Sequence, residues 1–195
     1  MGKFQLWAQP WWVNLLVLVP VIAYVVWRRN GPALVWRRLA LLAAFALAFG
    51  FVEAAVVVYL RAALGLLPGY MGTIAQLRYS SIGYEQVRAL GQFPRGLLSV
   101  ETIREAATIV ILLSVTLLSA STGKERWACF LWTFALWDIA YYMGLWAVVG
   151  WPASFLDLDI LFLIPVPWVA QVWFPLFVST LAMAAVALVK RGETQ

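Results

Sequence analysis

The chain has 195 residues, of which 64% are hydrophobic and 12% charged, and its net charge is +5. A soluble domain carries about 25% charged residues, and a disordered chain needs low hydrophobicity and high charge. The composition excludes the second and argues against the first; the mean hydropathy of +0.87 points instead to a bilayer.

There is no histidine and one cysteine, Cys129. Imidazole metal sites, histidine bases, intrachain disulfides and thiolate clusters are therefore excluded. No phosphate-binding glycine motif stands between a strand and a helix, so no nucleotide and no cofactor is expected. Most basic residues lie in short clusters beside apolar runs. Membrane topology explains them without a nucleic-acid partner.

Apolar runs of roughly 20 residues recur, each able to cross a core about 30 Å thick. They are too continuous for barrel strands. The expectation is all-α: one integral membrane domain over residues 1–195, a bundle of about five transmembrane helices. The first span is placed at 11–27 and contains Asn14 and Pro20, the latter expected to kink it. Its length, the lack of a small-residue cleavage site and the following Arg28-Arg29 distinguish it from a signal peptide. Span two is placed at 39–60 and carries Glu53. Residues 61–100 are read as an external segment with short amphipathic helices over 73–90. Span three covers 101–121 and span four 127–149, with Asp138 at its middle.

Residues 160–189 would be about 45 Å long as one helix. Pro165 and Pro167 disfavour helix at the residues before them. The expectation is a short half-helix or re-entrant piece near 157–164, a break at 165–167 and span five at roughly 168–189. Irregular backbone at membrane depth must face protein or a water-filled cavity.

Orientation follows from Lys and Arg density. With the N-terminus outside, the inner segments 28–38, 122–126 and 190–195 hold eight in 22 residues. The outer segments 1–10, 61–100 and 150–157 hold five in 58. This favours N-out, C-in.

Four acids, Glu53, Glu101, Glu105 and Asp138, fall in or at the spans with Arg104. Each charge at mid-bilayer costs about 2.5–3.5 kcal/mol on insertion scales. They must therefore be paired, protonated, or in contact with water or ligand. Asp138 lies about 16 Å from either interface by residue count. Glu101, Glu105, Thr108, Leu112, Thr116 and Ser119 form one stripe along span three. Tyr141 and Tyr142 share the face of Asp138 and are placed to hydrogen-bond it. Trp137 flanks it, and the proline break brings Trp168 and Gln171 to the same region. The structural reading is an Arg104–carboxylate network that fixes helix register. The functional reading is an outward-opening chamber for ligand or proton binding, because the deep acids Glu53, Glu105 and Asp138 outnumber the one deep arginine.

Three stretches and the proline run also carry a resemblance: Phe51-Val52-Glu53 through Leu60-Arg61, Arg104-Glu105-Ala106-Ala107-Thr108, Trp137-Asp138-Ile139-Ala140-Tyr141-Tyr142, and Gly150-Trp151-Pro152 through Ile164-Pro165-Val166-Pro167-Trp168. Over roughly residues 50–175 the chain resembles a set of bacterial multi-pass membrane proteins without an assigned activity. The resemblance implies a bacterial inner-membrane location. In tryptophan content and span number the chain is also similar to tryptophan-rich sensory proteins. It lacks their Pro- and Asn-rich first-loop motif, so no ligand is carried over.

Three functions compete. The first is small-molecule or proton-coupled transport, or binding of a hydrophobic small molecule or lipid. The second is a membrane enzyme on a lipid or isoprenoid, with Asp138 or Glu105 as the acid and aromatic faces steadying a cation. The third is a non-catalytic subunit or assembly factor of a membrane complex.

Overall fold

A computed structural model of the chain describes residues 4–63, 65, 71–73 and 94–189. Most of the 61–100 segment, including the amphipathic helices expected over 73–90, lies outside the described residues. So does the basic cluster at 190–195. What is described is mostly helical, with three helices long and apolar enough to cross a membrane.

The N-terminal helix is mixed. Trp11–Val17 is a 3-10 helix and Leu18–Trp27, α1, is α-helical. The transition falls just before Pro20, which has no N–H to offer the carbonyl of Leu16. Asn14 organises the preceding turn. Its Nδ2 donates to the carbonyls of Ala8 and Trp11, and its Oδ1 accepts from the Ala8 N–H at 2.9 Å. The expected kink is thus a change of helix type upstream of the proline.

Helix α2 covers Trp36–Ala63, α3 covers Arg95–Ser119 and α4 covers Gly123–Val149. Each is longer than its expected span and extends over at least about 37 Å. Pro94 sits at the cap position of α3. Thr122 caps α4 by accepting the Glu125 N–H at 3.3 Å, a Ser/Thr-x-x-Glu start. Gly150, at φ 74°, ends α4 in the left-handed conformation that a side chain disfavours.

Of the half-helix or re-entrant piece expected near 157–164, the half-helix is not formed. Leu158–Phe162 is strand β1, and it pairs antiparallel with β2, Trp168–Gln171. The proline break is where the sequence placed it, but the extended backbone it favours spreads to both sides. Ile164 and Val166, each preceding a proline, are biased away from helix, and the chain reverses between them and pairs with itself. Span five is correspondingly shorter than 168–189: α5 is Trp173–Leu188. Pro175 lies in its first turn, where a missing N–H costs nothing.

The hairpin's edges are both engaged. Gln9 and Val169 exchange backbone hydrogen bonds at 2.8 and 2.7 Å, which covers β2 with the N-terminal segment. On β1, the Ile160 N–H donates to Asp159 Oδ1 at 2.8 Å. Just beyond it, the Leu163 N–H donates to Glu105 Oε2 at 2.7 Å. Unpaired strand donors in an apolar setting are costly, so these carboxylates have a structural task.

Helix α4 is the hub. It packs along α2 and against α3 and α5, while α5 also packs on α1. The apolar stretch of α4 is 61% buried, against 39% for α2 and 17% for α3. Helix α3 is thus peripheral. It turns Glu101, Thr108, Leu112 and Thr116 inward, as the polar stripe predicts. At one end of the bundle, Arg38 pairs with Glu125 at 3.2 Å and Trp27, Ala128, Cys129 and Val186 share a core. The hairpin, Trp151 and the N-terminal segment close the other end.

Candidate functional site

A cavity of about 620 Å³ is lined by the N-terminal helix, α2, α3, α4, α5 and the hairpin, and it falls within the range of small-molecule pockets. Its walls are mostly apolar. Glu53, Glu101, Arg104, Glu105, Asp138, Tyr141, Tyr142 and Trp168 all line it. These are eight of the nine residues singled out from the sequence. The ninth, Gln171, is not a lining residue. Its Oε1 accepts from the Gln5 N–H at 2.8 Å and from Trp173 Nε1 at 3.2 Å, which ties down the N-terminal segment.

The polar residues form three groups. In the first, Arg104 bridges two helices. Its guanidinium pairs with Glu53 of α2 and with Glu101 one turn earlier on α3, the latter at 2.9 Å. Thr108 donates to Glu53 Oε1 at 2.8 Å. This is the register-fixing network of the structural reading, and it accounts for Glu53, Glu101 and Arg104. Removing one member of such a buried network leaves an uncompensated charge, at a cost of about 3–5 kcal/mol.

In the second group Glu105, one turn deeper, accepts from the hairpin backbone. It makes no ion pair among the described residues.

The third group lies between α4, α5 and the hairpin. Asp138 Oδ2 accepts from Ser179 Oγ of α5 at 2.8 Å. Tyr142 does not bond Asp138, as the sequence suggested; its hydroxyl donates to Asp159 Oδ2 of β1 at 2.6 Å. The reason is the hairpin, which brings Asp159 over α4, where a half-helix would have placed it differently. Asp159 is fully buried, and burial pushes its carboxyl up to about 6. The Tyr142 hydroxyl and the positive charge of Arg61 act against that shift. Arg61 is itself 1% exposed, with its guanidinium 4.9 Å from the centre of the Trp151 ring. Asp138 has no cation at ion-pair distance among the described residues.

Aromatic rings cover much of the wall. Along α4, Trp127, Phe130, Phe134, Trp137 and Tyr141 follow one another with ring centres 5.4 to 6.4 Å apart. Across the cavity, Phe162 packs edge-on to Trp168 at 5.4 Å, and Trp168 edge-on to Trp12 at 5.0 Å.

Sequence reasoning missed Asp159 and Ser179. Asp159 shares a short stretch with Asp157 and reads as part of an acidic connection. Only its apolar neighbours Leu158, Ile160, Leu161 and Phe162 signalled an inward position. Ser179 sits beside Thr180, which bonds its own helix at the Leu176 carbonyl, and spacing alone does not separate the two. No family model, curated protein or solved structure matches the chain.

Proposed function

We propose that this chain is a multi-pass protein of the bacterial inner membrane that binds a small, largely apolar molecule within its helical bundle. Proton-coupled binding or transport is the activity that fits it best. Five crossings are proposed: the three long helices, the Trp11–Trp27 helix and α5. The N-terminal helix reaches farther than its residue count suggests. The 3-10 portion rises about 2.0 Å per residue, and the hairpin lies beyond the start of α5, outside the crossing. The N-terminus is outside and the C-terminus inside.

The observation that carries the reading is the cavity. One aromatic-walled cavity gathers Glu53, Glu101, Arg104, Glu105 and Asp138, the five residues singled out for the cost of burying them, and two of its acids, Asp138 and Glu105, have no cation at ion-pair distance among the described residues. A network serving only register would satisfy its charges and pack out the space between helices. An acid at the wall of an apolar cavity is suited to change protonation as a ligand enters or leaves.

The test is saturable binding of an apolar fluorophore, N-phenyl-1-naphthylamine, to detergent-purified protein. Binding above that of empty micelles is expected. Val178→Trp, which fills the cavity, should weaken it at least about tenfold without changing the far-ultraviolet spectrum. The pH dependence of binding should be lost in Asp138→Asn. Equal fluorescence with and without protein would remove the reading. Unaltered pH dependence in both Asp138→Asn and Glu53→Gln would remove its proton coupling.

A further inference from the structure

The cavity is polar at one end and apolar at the other. Glu105, Asp138, Tyr142 and Asp159 line it near the hairpin, with the Arg104 network beside them. Away from the hairpin its walls are Phe130, Phe134, Val178 and Ala182, and Trp127 marks the far end at the first turns of α4. From Tyr141 to Trp127 the α4 wall runs about 21 Å at 1.5 Å per residue. That exceeds the depth of one leaflet, roughly 15 Å or half of a core about 30 Å thick. One side of the space is a cleft. Helix α3 packs on α4, whereas the N-terminal helix packs on α5. Ala106 and Ile109 border the cleft from α3, and Leu16 and Val19 border it from the N-terminal helix. All four are apolar and half-buried or exposed.

At the polar end, each of two carboxylates has one engaged oxygen and one free one. Asp138 Oδ2 accepts from Ser179, and Glu105 Oε2 accepts from the Leu163 N–H. Asp138 Oδ1 and Glu105 Oε1 accept no hydrogen bond among the described residues, although Asp138 is only 8% exposed. Neither of these oxygens is sealed off from the cavity that both residues line. We propose that the ligand is a single-chain amphiphile with a basic amine head, the head at these free oxygens and the chain lying along α4 toward Trp127. The proposal rests on the small-molecule binding above and names its chemistry. A wholly apolar ligand would leave both carboxylates facing hydrocarbon, which is costly. An ammonium offers three donors and a positive charge, and charge-assisted bonds are the strong ones. A carboxylate or phosphate head would meet five lining acids against two arginines, and Arg104 is already held by Glu53 and Glu101. Entry through the cleft between α3 and the N-terminal helix keeps the chain in hydrocarbon throughout.

Tetradecylamine, tetradecanol and tetradecanoate share one chain and differ in the head. Each is titrated at neutral pH against N-phenyl-1-naphthylamine bound to the full chain in mild detergent, with its uptake into empty micelles measured and subtracted. The amine should displace the fluorophore at least about tenfold better than the alcohol, the worth of a hydrogen bond to a charged group. Tetradecanoate should be the weakest of the three. Asp138→Asn combined with Glu105→Gln keeps the acceptors for Ser179 and Leu163 but removes the charge. It should bring the amine to within about twofold of the alcohol. The direction of the chain is read by photolabelling of the unaltered protein. Tetradecylamine with a diazirine at the chain end should label residues 127–134 or 178–182, and with the diazirine beside the nitrogen it should label residues 101–109 or 159–164. Unmodified tetradecylamine should suppress both. Equal displacement by amine and alcohol, strongest displacement by tetradecanoate, or the same labelled residues for both diazirines would overturn the proposal but leave small-molecule binding standing. So would a bound fluorophore that none of the three displaces. A fluorophore that does not bind above the micelle blank would overturn both.

Discussion

Asp159 shows how one residue's position can be tested through protons. Its carboxyl is pushed up to about 6 by burial, from an ordinary value of 3.8. The group lies in the hairpin, outside the spanning helices. Because its pKa in the folded state is the higher one, the folded state holds the proton more tightly between pH 4 and 6. Stability is therefore greatest below the unfolded pKa and is lost as pH rises through that window; above it the loss is constant. Two units correspond to at most about 3 kcal/mol. Asp159→Asn keeps a partner for both the Tyr142 hydroxyl and the Ile160 N–H but cannot ionise. Relative to this variant, the wild-type protein should lose thermal stability in detergent between pH 4 and pH 6 and no further from pH 6 to 8. Parallel melting curves for the two proteins across the whole range would show that Asp159 is not held as described. The same residue marks the limit of sequence reading. Glu53, Glu101, Arg104, Glu105 and Asp138 were legible because helical spacing assigns each a depth and a face. Asp159 was not, since its place depends on a reversal of the chain that spacing does not encode.

At the scale of elements, the crossing of α2 and α4 sets the cavity's back wall. A Cβ built on Gly50 would lie 2.5 Å from the Trp137 carbonyl and 2.7 Å from Ala140 Cβ. One on Gly144 would lie 2.9 Å from Ala54 Cβ. Ala46, Gly50 and Ala54 on one helix face Ala140 and Gly144 on the other, each set spaced by four. Small residues at that spacing let two helices approach closely where lipid supplies no hydrophobic drive for association. The spacing is visible in the sequence and would have paired these helices. The hairpin was less accessible, because a short apolar run beside prolines reads equally as strand or half-helix. Gly50→Val should therefore cost at least about 3 kcal/mol, above the usual range for overpacking because backbone is struck. Gly144→Ala, whose Cβ meets the Ala54 Cβ at 2.9 Å and the Phe51 ring at 3.4 Å, should cost about 1–3 kcal/mol. Gly50→Val should also weaken N-phenyl-1-naphthylamine binding, since Trp137 carries the struck carbonyl and lines the cavity. Unfolding in graded dodecyl sulfate measures the first effect and fluorophore titration the second. Equal stability of both variants and the parent would mean that the helices do not touch here.

For the whole molecule, the distribution of charge bears on orientation, and the packing of the ends on which segments share a face. Charge density favours a cytoplasmic position for the Arg28–Arg38 and Lys124–Arg126 turns. Arg61 was counted with the external segment, yet it is buried beside Trp151 and coupled to Asp159. Its charge belongs to the protein interior and not to the loop, so the outer face is poorer in exposed basic residues than its sequence suggests. The packing is consistent with antiparallel spans. The starts of α2 and α4 meet through Arg38 and Glu125, while the end of α4, the hairpin and the N-terminal segment meet at the opposite face. In the proposed arrangement these two groups lie on opposite sides of the bilayer. Cys129 is the chain's single cysteine and is buried, so a Cys129→Ala background leaves only introduced thiols to label. Ser154→Cys in that background should react with a membrane-impermeant maleimide on intact spheroplasts. Asn30→Cys and Gly123→Cys should react only after permeabilisation. The reverse pattern would invert the protein without altering its fold. Labelling of all three from outside would mean that α2 and α4 do not cross the membrane, and the cavity would then have to be explained in a water-exposed protein.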